Sequence, residues 1–459
     1  MLNCQYFFSP KKNYFVKIAL VFCLSSCANE KTYDKTKAIS LIDKIEEIEI
    51  DKNLEKVTIK TPQEKKSTYW LASPSHINQN IENIAKNFNT AKKTWFFAKK
   101  NSIDINKTWY KNIFYFEDFA KSFVYAPIIH NQKLFNIDSS GDVTAFDLET
   151  KKELWHQRIF EKLWLKNYKV AHLGACKKIL FAVAGVNQIK AIDQESGAIL
   201  WSRDLSVIFS STPICDDENV YITSSDNKTF ALNADNGAIK WIHFGIAKTL
   251  ALFGNAQVVL FGSKAIISNA SGDLYVVDKI SGKEMWQTSL NSMSSYNANS
   301  YLTDIDSAPL VKDNVVYVIG NGGLMKALNL NNGEELWKKP IASVVDFWLA
   351  GDFLYVINNN SKLMAIYQKT GTIKWFKQLP QPSGIFNKKH HNYIGTIMVG
   401  GKLVITRDDG EILILSPIDG TIESQYSLNK RVLHQPAIVG NKLYFYGMSR
   451  FKTKLIELE

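Results

Sequence analysis

Cysteine is scarce in this chain: there are five in 459 residues, and three of them stand at positions 4, 23 and 27. A small disulfide-stapled scaffold is therefore excluded, since such scaffolds are dense in cysteine. No Cys-Cys dipeptide, Gly-x-Ser-x-Gly elbow, phosphate loop, calcium-loop acid cluster or zinc-type spacing occurs. The commonest sequence marks of catalysis are thus missing. Long apolar runs are missing too. After residue 27 no segment approaches the roughly 20 apolar residues that cross a bilayer as a helix. Charged residues make up only 22%, against 46% hydrophobic and 12% aromatic, which excludes disorder. What the chain does have is length. Its 459 residues exceed the size at which one hydrophobic core stops growing, about 250–300 residues. It must split into domains or stack repeats.

The first segment carries Lys11, Lys12 and Lys17, no acids, and the short apolar run from Ile18 to Leu24. That is the layout of a secretory signal rather than a membrane span. It ends in Leu24-Ser25-Ser26-Cys27, which resembles a bacterial lipobox and makes Cys27 the expected lipidation site. Ala28 follows, so the sorting rule for such lipoproteins points to the outer membrane. Residues 1–26 take away three lysines and no acids, so the formal charge falls from +11 to +8. The segment after Cys27 is rich in Lys, Glu, Asp and Ile without glycine, and reads as a solvated tether up to about residue 85. Ile39, Ile42 and Ile45 would also suit a short amphipathic helix. As a flexible coil the 41 residues 28–68 would reach about 35 Å root-mean-square. Cys176 and Cys215 remain; each lies in an apolar strand-like run, which favours two buried thiols over a periplasmic disulfide.

From residue 145 onward one pattern recurs: Ala, apolar, Asp or Asn, three residues, Gly, three residues, Trp. It runs through Ala191-Ile-Asp193…Gly197…Trp201, Ala231-Leu-Asn233…Gly237…Trp241 and Ala327-Leu-Asn329…Gly333…Trp337. Asp278…Gly282…Trp286 keeps it with valine for alanine. Asp147…Trp155 has Lys151 for the glycine, Ala365…Gly371…Trp375 has lost the acid, and Ser416…Gly420…Ser424 has lost the tryptophan. Periods of about 40–50 residues fit four-stranded propeller blades. Within a period, Asn314–Ile319 reads as a strand, Gly320-Asn-Gly-Gly323 as a hairpin turn and Glu335-Leu-Trp337 as the outer strand. The tryptophans would fill the wedge that widens between blades. Strand material after the last repeat, joined to Thr94-Trp95-Phe-Phe97 as the missing Trp-bearing outer strand, predicts an eighth blade closed by both ends of the chain. The expected fold is all-β, an eight-bladed propeller over residues 86–459, with a seven-bladed ring and loose ends as the alternative.

These repeats resemble the pyrroloquinoline-quinone-type propeller repeat. Together with the lipobox they resemble the BamB family, the propeller lipoproteins of the outer-membrane β-barrel assembly machinery. Thr303–Pro309, Trp337-Lys-Lys, Val344–Phe347 and Leu363–Ile366 carry the resemblance most specifically. It implies a scaffold without cofactor, on the periplasmic face of the outer membrane, that binds a periplasmic domain of BamA through two loops on one propeller face. Those loops correspond to Lys248–Phe253, with Leu250 and Leu252, and to Asp304-Ile-Asp306, with Asp304 and Asp306. Phe253 stands where the family carries arginine, so aromatic packing would replace a charge pair there. Read locally, the leucines also suit inward strand positions and the aspartates turn caps.

Quinone-dependent dehydrogenases use the same repeat, but need an adjacent cysteine pair, a calcium site and a catalytic aspartate. A propeller that binds a ligand in its central channel is the remaining alternative. His390-His391 reads as a surface loop, because adjacent histidines rarely face one ligand. Nucleic-acid binding is disfavoured, as the lysines are scattered (Lys228, Lys279, Lys283, Lys338, Lys339) rather than gathered in a stripe.

Overall fold

The computed structural model describes residues 49–71, 82–85, 101–103, 127–137, 142–160, 171–184, 186–247, 257–291, 304–382, 390–440, 442–449 and 452–458. The chain divides into two units, Met1–Glu47 and Ile48–Glu459. Cys27 and the isoleucines at 39, 42 and 45 belong to the first and lie outside the described residues.

The second unit forms eight antiparallel sheets, the expected eight-bladed propeller. Blades 1 to 7 span residues 128–158, 171–208, 214–244, 258–289, 310–339, 348–378 and 393–427, each four strands in simple up-and-down order. In blade 5 the strands are Leu310–Lys312, Val315–Ile319, Met325–Asn329 and Glu335–Lys339, as the β-branched runs and glycine turns predict. The middle strands are buried nearly throughout, while the outer strands are mostly exposed or half-buried, with the tryptophans among their least exposed positions. The turn aspartates cap their own backbone. Asp193 accepts from the Ser196 hydroxyl at 2.7 Å and the Ser196 N–H at 2.8 Å, and these bonds hold its carboxyl below the usual range.

The repeat tryptophans do more than fill space. Each indole N–H donates across the junction to a turn carbonyl of the next blade: Trp155 to Gln194, Trp201 to Ala234, Trp241 to Lys279, Trp286 to Leu330, Trp337 to Gln368 and Trp375 to Pro417, at 2.8–3.1 Å. The repeat glycine of that turn lies flat against the same ring. At Gly333, with φ +74°, an added Cβ would stand 2.7 Å from the Trp286 ring, so the position demands both left-handed backbone and no side chain. Within its own blade the tryptophan lies opposite the repeat alanine, as Trp337 does Ala327. The small alanine lets the next strand's aromatic reach the indole, with Tyr317 and Trp337 centroids 6.1 Å apart. Six junctions share this clamp.

The two junctions at the seam depart from it, and topology explains both. Blade 8 consists of Arg431–Val432, Ala437–Val439, Lys442–Ser449 and Lys452–Leu458, closed on the outside by Asn101–Ile103. No turn joins its last two strands, so blade 7 has nothing to clamp, and Ser424 takes the tryptophan position opposite Ile414. On the other side Asn101 lies opposite Glu457, in the register that pairs tryptophan with alanine elsewhere. The closing strand is therefore Asn101–Ile103; Thr94–Phe97 lies outside the described residues. Lys151, in left-handed backbone at φ 60°, replaces the repeat glycine of blade 1. Its Nζ reaches Glu457 Oε1 at 2.9 Å, and Lys442 Nζ binds the same oxygen at 3.1 Å, while Glu457 is 2% exposed. A buried charge cluster stands where the other junctions hold an indole.

Two expectations need correction. The segment before the propeller is not a free tether up to residue 85. Residues 49–71 and 82–85 run as a strap over blades 6, 7, 8 and 1. Trp70 exchanges both backbone hydrogen bonds with Ile129, Ile84 pairs with Val399, and the Ser67 carbonyl accepts from Gly440 N–H. Trp348 Nε1 donates to the Glu82 carbonyl at 2.6 Å, and Glu82 meets Lys312 at 2.7 Å. Trp70 and Ile84 are fully buried. Isolated apolar anchors in a polar segment carry no periodicity, which is why the sequence reads as solvated. Cys176 and Cys215, in turn, are not free thiols. They form a disulfide, with Cα atoms 6.1 Å apart, between the innermost strands of blades 2 and 3. Apolar strand context conceals that these two strand ends meet side by side.

Candidate partner-binding face

In an up-and-down blade the connections between blades and the turns between second and third strands share one end of the ring. The first hairpins and the Asp/Asn-Gly turns share the other. Residues 245–257 link blades 3 and 4, and residues 290–309 link blades 4 and 5. The described ends of both sequence-designated loops thus share one end of the ring, at neighbouring junctions. Leu250 and Leu252 lie outside the described residues. Their approach is well defined: Gly245 N–H donates to the Asn227 carbonyl, Asn227 Nδ2 donates to the Ile246 carbonyl at 2.6 Å, and Ile246 N–H donates to the Tyr275 hydroxyl at 3.3 Å. Burial raises the Tyr275 pKa, keeping the phenol neutral in this role. This network leaves Phe244 67% and Ile246 59% exposed beside the loop. The sequence reading missed both. Their signal is an apolar pair flanking a glycine just after an outer strand, where a buried residue has no blade left to pack on.

The second loop separates its two aspartates. Asp304 is fully buried, its carbonyl accepting from Asn321 N–H at 2.9 Å. Asp306 is partly exposed. Between and after them Ile305 and Ala308 are buried, and Ala308 N–H donates to Asp346 Oδ1 at 3.1 Å. Asp304 shapes the loop from within, and Asp306 is the more open of the two aspartates.

Among the described residues, one group has metal-ligand composition: His391, Asp408 and Asp409. His391 is less open than a surface loop implies, its Nδ1 2.6 Å from Asp408 Oδ1. Asp409, however, is held in a two-point fork by Arg407, at 2.9 and 2.7 Å, and this pairing pulls its carboxyl below the usual range despite partial burial. The group is an ion-pair lattice bracing blade 7. The cysteines, bonded across two blades, do not form the adjacent pair of a quinone site.

Clamped four-stranded blades and a loop-bearing end define a propeller of the pyrroloquinoline-quinone-type repeat, a class that holds both dehydrogenases and binding scaffolds. Residues 139–377 match the family described as outer membrane protein assembly factor BamB, and the chain belongs to that family. The BamB of Yersinia pestis is 28% identical over 330 residues, covering 70% of this chain and 82% of that protein. The BamB of Escherichia coli K12 is 24% identical over 314 residues, covering 57% and 78%. Among solved structures, BamB from Moraxella catarrhalis superposes with a TM-score of 0.61 at 16% identity, covering 72% of this chain and 95% of that one. A europium-containing methanol dehydrogenase superposes at 0.56 with 12% identity, covering 72% and 83%. At such identities the structures speak for the fold alone.

Proposed function

We propose that this chain is a non-enzymatic scaffold of the outer-membrane β-barrel assembly machinery. It docks a periplasmic domain of BamA on the loop-bearing end of the ring and is held at the periplasmic face of the outer membrane by lipid on Cys27. The curated relatives named as assembly factors support the role, and the fold it shares with dehydrogenases does not argue for enzymatic activity. The observation that supports the docking face is that the described flanks of both loops lie at neighbouring junctions on one end of the ring, with Asp306 partly open and Phe244 and Ile246 exposed. An aromatic and an aliphatic anchor at one junction and a carboxylate at the next suit a mixed apolar and basic partner patch.

The test is photo-crosslinking in cells with the probe at Asp306 and, as control, at Ile418, which is exposed on a turn at the opposite end. A BamA adduct from Asp306 and none from Ile418 is expected. Equal adducts, or none from either, would overturn the face. Replacing Asp306 by lysine should weaken co-purification with BamA roughly tenfold without lowering the melting temperature, as befits a rim charge facing an opposite one. Asp304→Lys should instead destabilise the propeller, because the new charge is buried.

A further inference from the structure

The tripeptide Ile-Lys-Trp occurs in two outer strands, as Ile239-Lys240-Trp241 of blade 3 and Ile373-Lys374-Trp375 of blade 6. In blade 6 it is a receptor already in use. Ile50 of the strap pairs in parallel with Ile373, and Asp51 N–H donates to the Ile373 carbonyl at 2.9 Å. Asp51 then caps the single helical turn Lys52–Lys56 by accepting from Asn53 N–H at 2.8 Å. That turn sets Leu54 down on the edge, where it is 6% exposed, and Lys374 Nζ donates to the Leu54 carbonyl at 2.6 Å. Ile373 is left 7% exposed.

Blade 3 repeats the receptor, and among the described residues no segment pairs with its edge. The same bulge precedes the strand, placing Ile239 opposite Leu232 as Ile373 lies opposite Ile366. The same indole clamp fixes the strand from behind, Trp241 to Lys279 and Trp375 to Pro417. Yet Ile239 is 46% exposed, and Lys240 is exposed beside it. The other edges are blunted or incomplete. Glu153, Glu284 and Glu335 occupy the isoleucine position in blades 1, 4 and 5, a charge that discourages strand addition. Blade 2 has Ile199-Leu200, lacking the lysine, and in blade 7 Glu423 is tied to Lys402 at 2.5 Å.

We propose that the blade 3 edge at Ile239 and Lys240 is a second docking site, for a partner polypeptide whose segment has the chemistry of the strap. Such a segment supplies an extended backbone that pairs as Ile50 does, an acidic cap and one helical turn carrying a buried leucine. Backbone pairing, an aliphatic contact and a lysine-to-carbonyl bond together recognise it, a short form of β-augmentation. The site follows the Asn-Gly turn and so lies at the end of the ring opposite the loop face, independent of BamA docking.

The probe is a fluorescent peptide of residues 48–58, titrated by anisotropy against the full chain. Saturable binding is expected, weakened at least tenfold by Ile239→Asp and by Leu54→Asp in the peptide, and unaltered by Ile199→Asp or Asp306→Lys. Absence of saturable binding would overturn the site. So would binding that ignores Ile239→Asp, since the peptide would then be exchanging at blade 6. Sedimentation should show monomers; a dimer abolished by Ile239→Asp would assign the edge to a second copy and overturn the partner polypeptide. Because Ile239 is a surface residue on a strand clamped from behind, an unchanged melting temperature separates loss of binding from loss of fold.

Discussion

Six blade junctions and the seam solve one packing problem with opposite chemistry. At the six, an indole lies on a glycine turn and donates one hydrogen bond into it, so each blade reaches forward and grips the next. At the seam the three positions of that device are Asn101, Lys151 and Glu457, and the grip is a buried carboxylate shared by two lysines. The clamp is available only where a hairpin turn exists to be clamped. At the junction of blades 7 and 8 that turn is absent; at the junction of blades 8 and 1 the turn is present, but the closing strand brings Asn101 in place of an indole, and charge replaces shape. Buried ion pairs are poor sources of net stability but enforce partner choice, and a seam between two distant segments is where correct pairing matters most.

The comparison breaks most sharply at a clamp. Trp337→Ala should cost about 3–5 kcal/mol, the range for emptying a large aromatic site, and it also leaves the Gln368 carbonyl unpaired; urea titration of the whole ring measures it. Next comes the Cys176–Cys215 bond, which secures blades 2 and 3 at the end of the ring where the strap secures blades 6, 7, 8 and 1. Replacing both cysteines by serine should cost about 2–4 kcal/mol, seen as a melting temperature that no longer responds to reductant. The seam should yield least. Glu457→Ala should cost about 1–3 kcal/mol, because Lys151 and Lys442, 27% and 35% exposed, can turn to water once the carboxylate is gone. The same experiment sharpens the comparison when Asn101→Trp and Lys151→Gly are added. If the seam is a clamp rewritten in charge, the triple variant should be more stable than Glu457→Ala alone. A triple variant weaker than the single one would show that the seam geometry differs in kind.

The ring itself was legible from spacing, because an invariant interval between the Asp/Asn and Trp positions reports one turn repeated, and the structure finds that turn under each indole. Even the degenerate copies were informative: Lys151 and Ser424 look like noise in the sequence and mark the two sides of the seam in the fold. What stayed hidden has no repeat. Asn101–Ile103 is identified by its backbone register alone, and its sequence carries none of the repeat. The strap depends on Trp70 and Ile84 set far apart in polar sequence, and the disulfide on two strand ends that only the ring brings together. At the candidate face the resemblance located both aspartates, but local backbone alone decides which is buried, so Asp304 and Asp306 are indistinguishable until the loop is seen.

The pairing of Asn101 with Glu457 also sets a clock. The closing strand precedes blade 1 in the chain and its mate follows blade 7, so it must wait, unpaired, while seven blades form. Contacts between segments this far apart carry a high loop-closure entropy and form slowly. Until then the nascent ring is an open arc with an uncovered blade face at each end, and closure is expected to be a late, slow step.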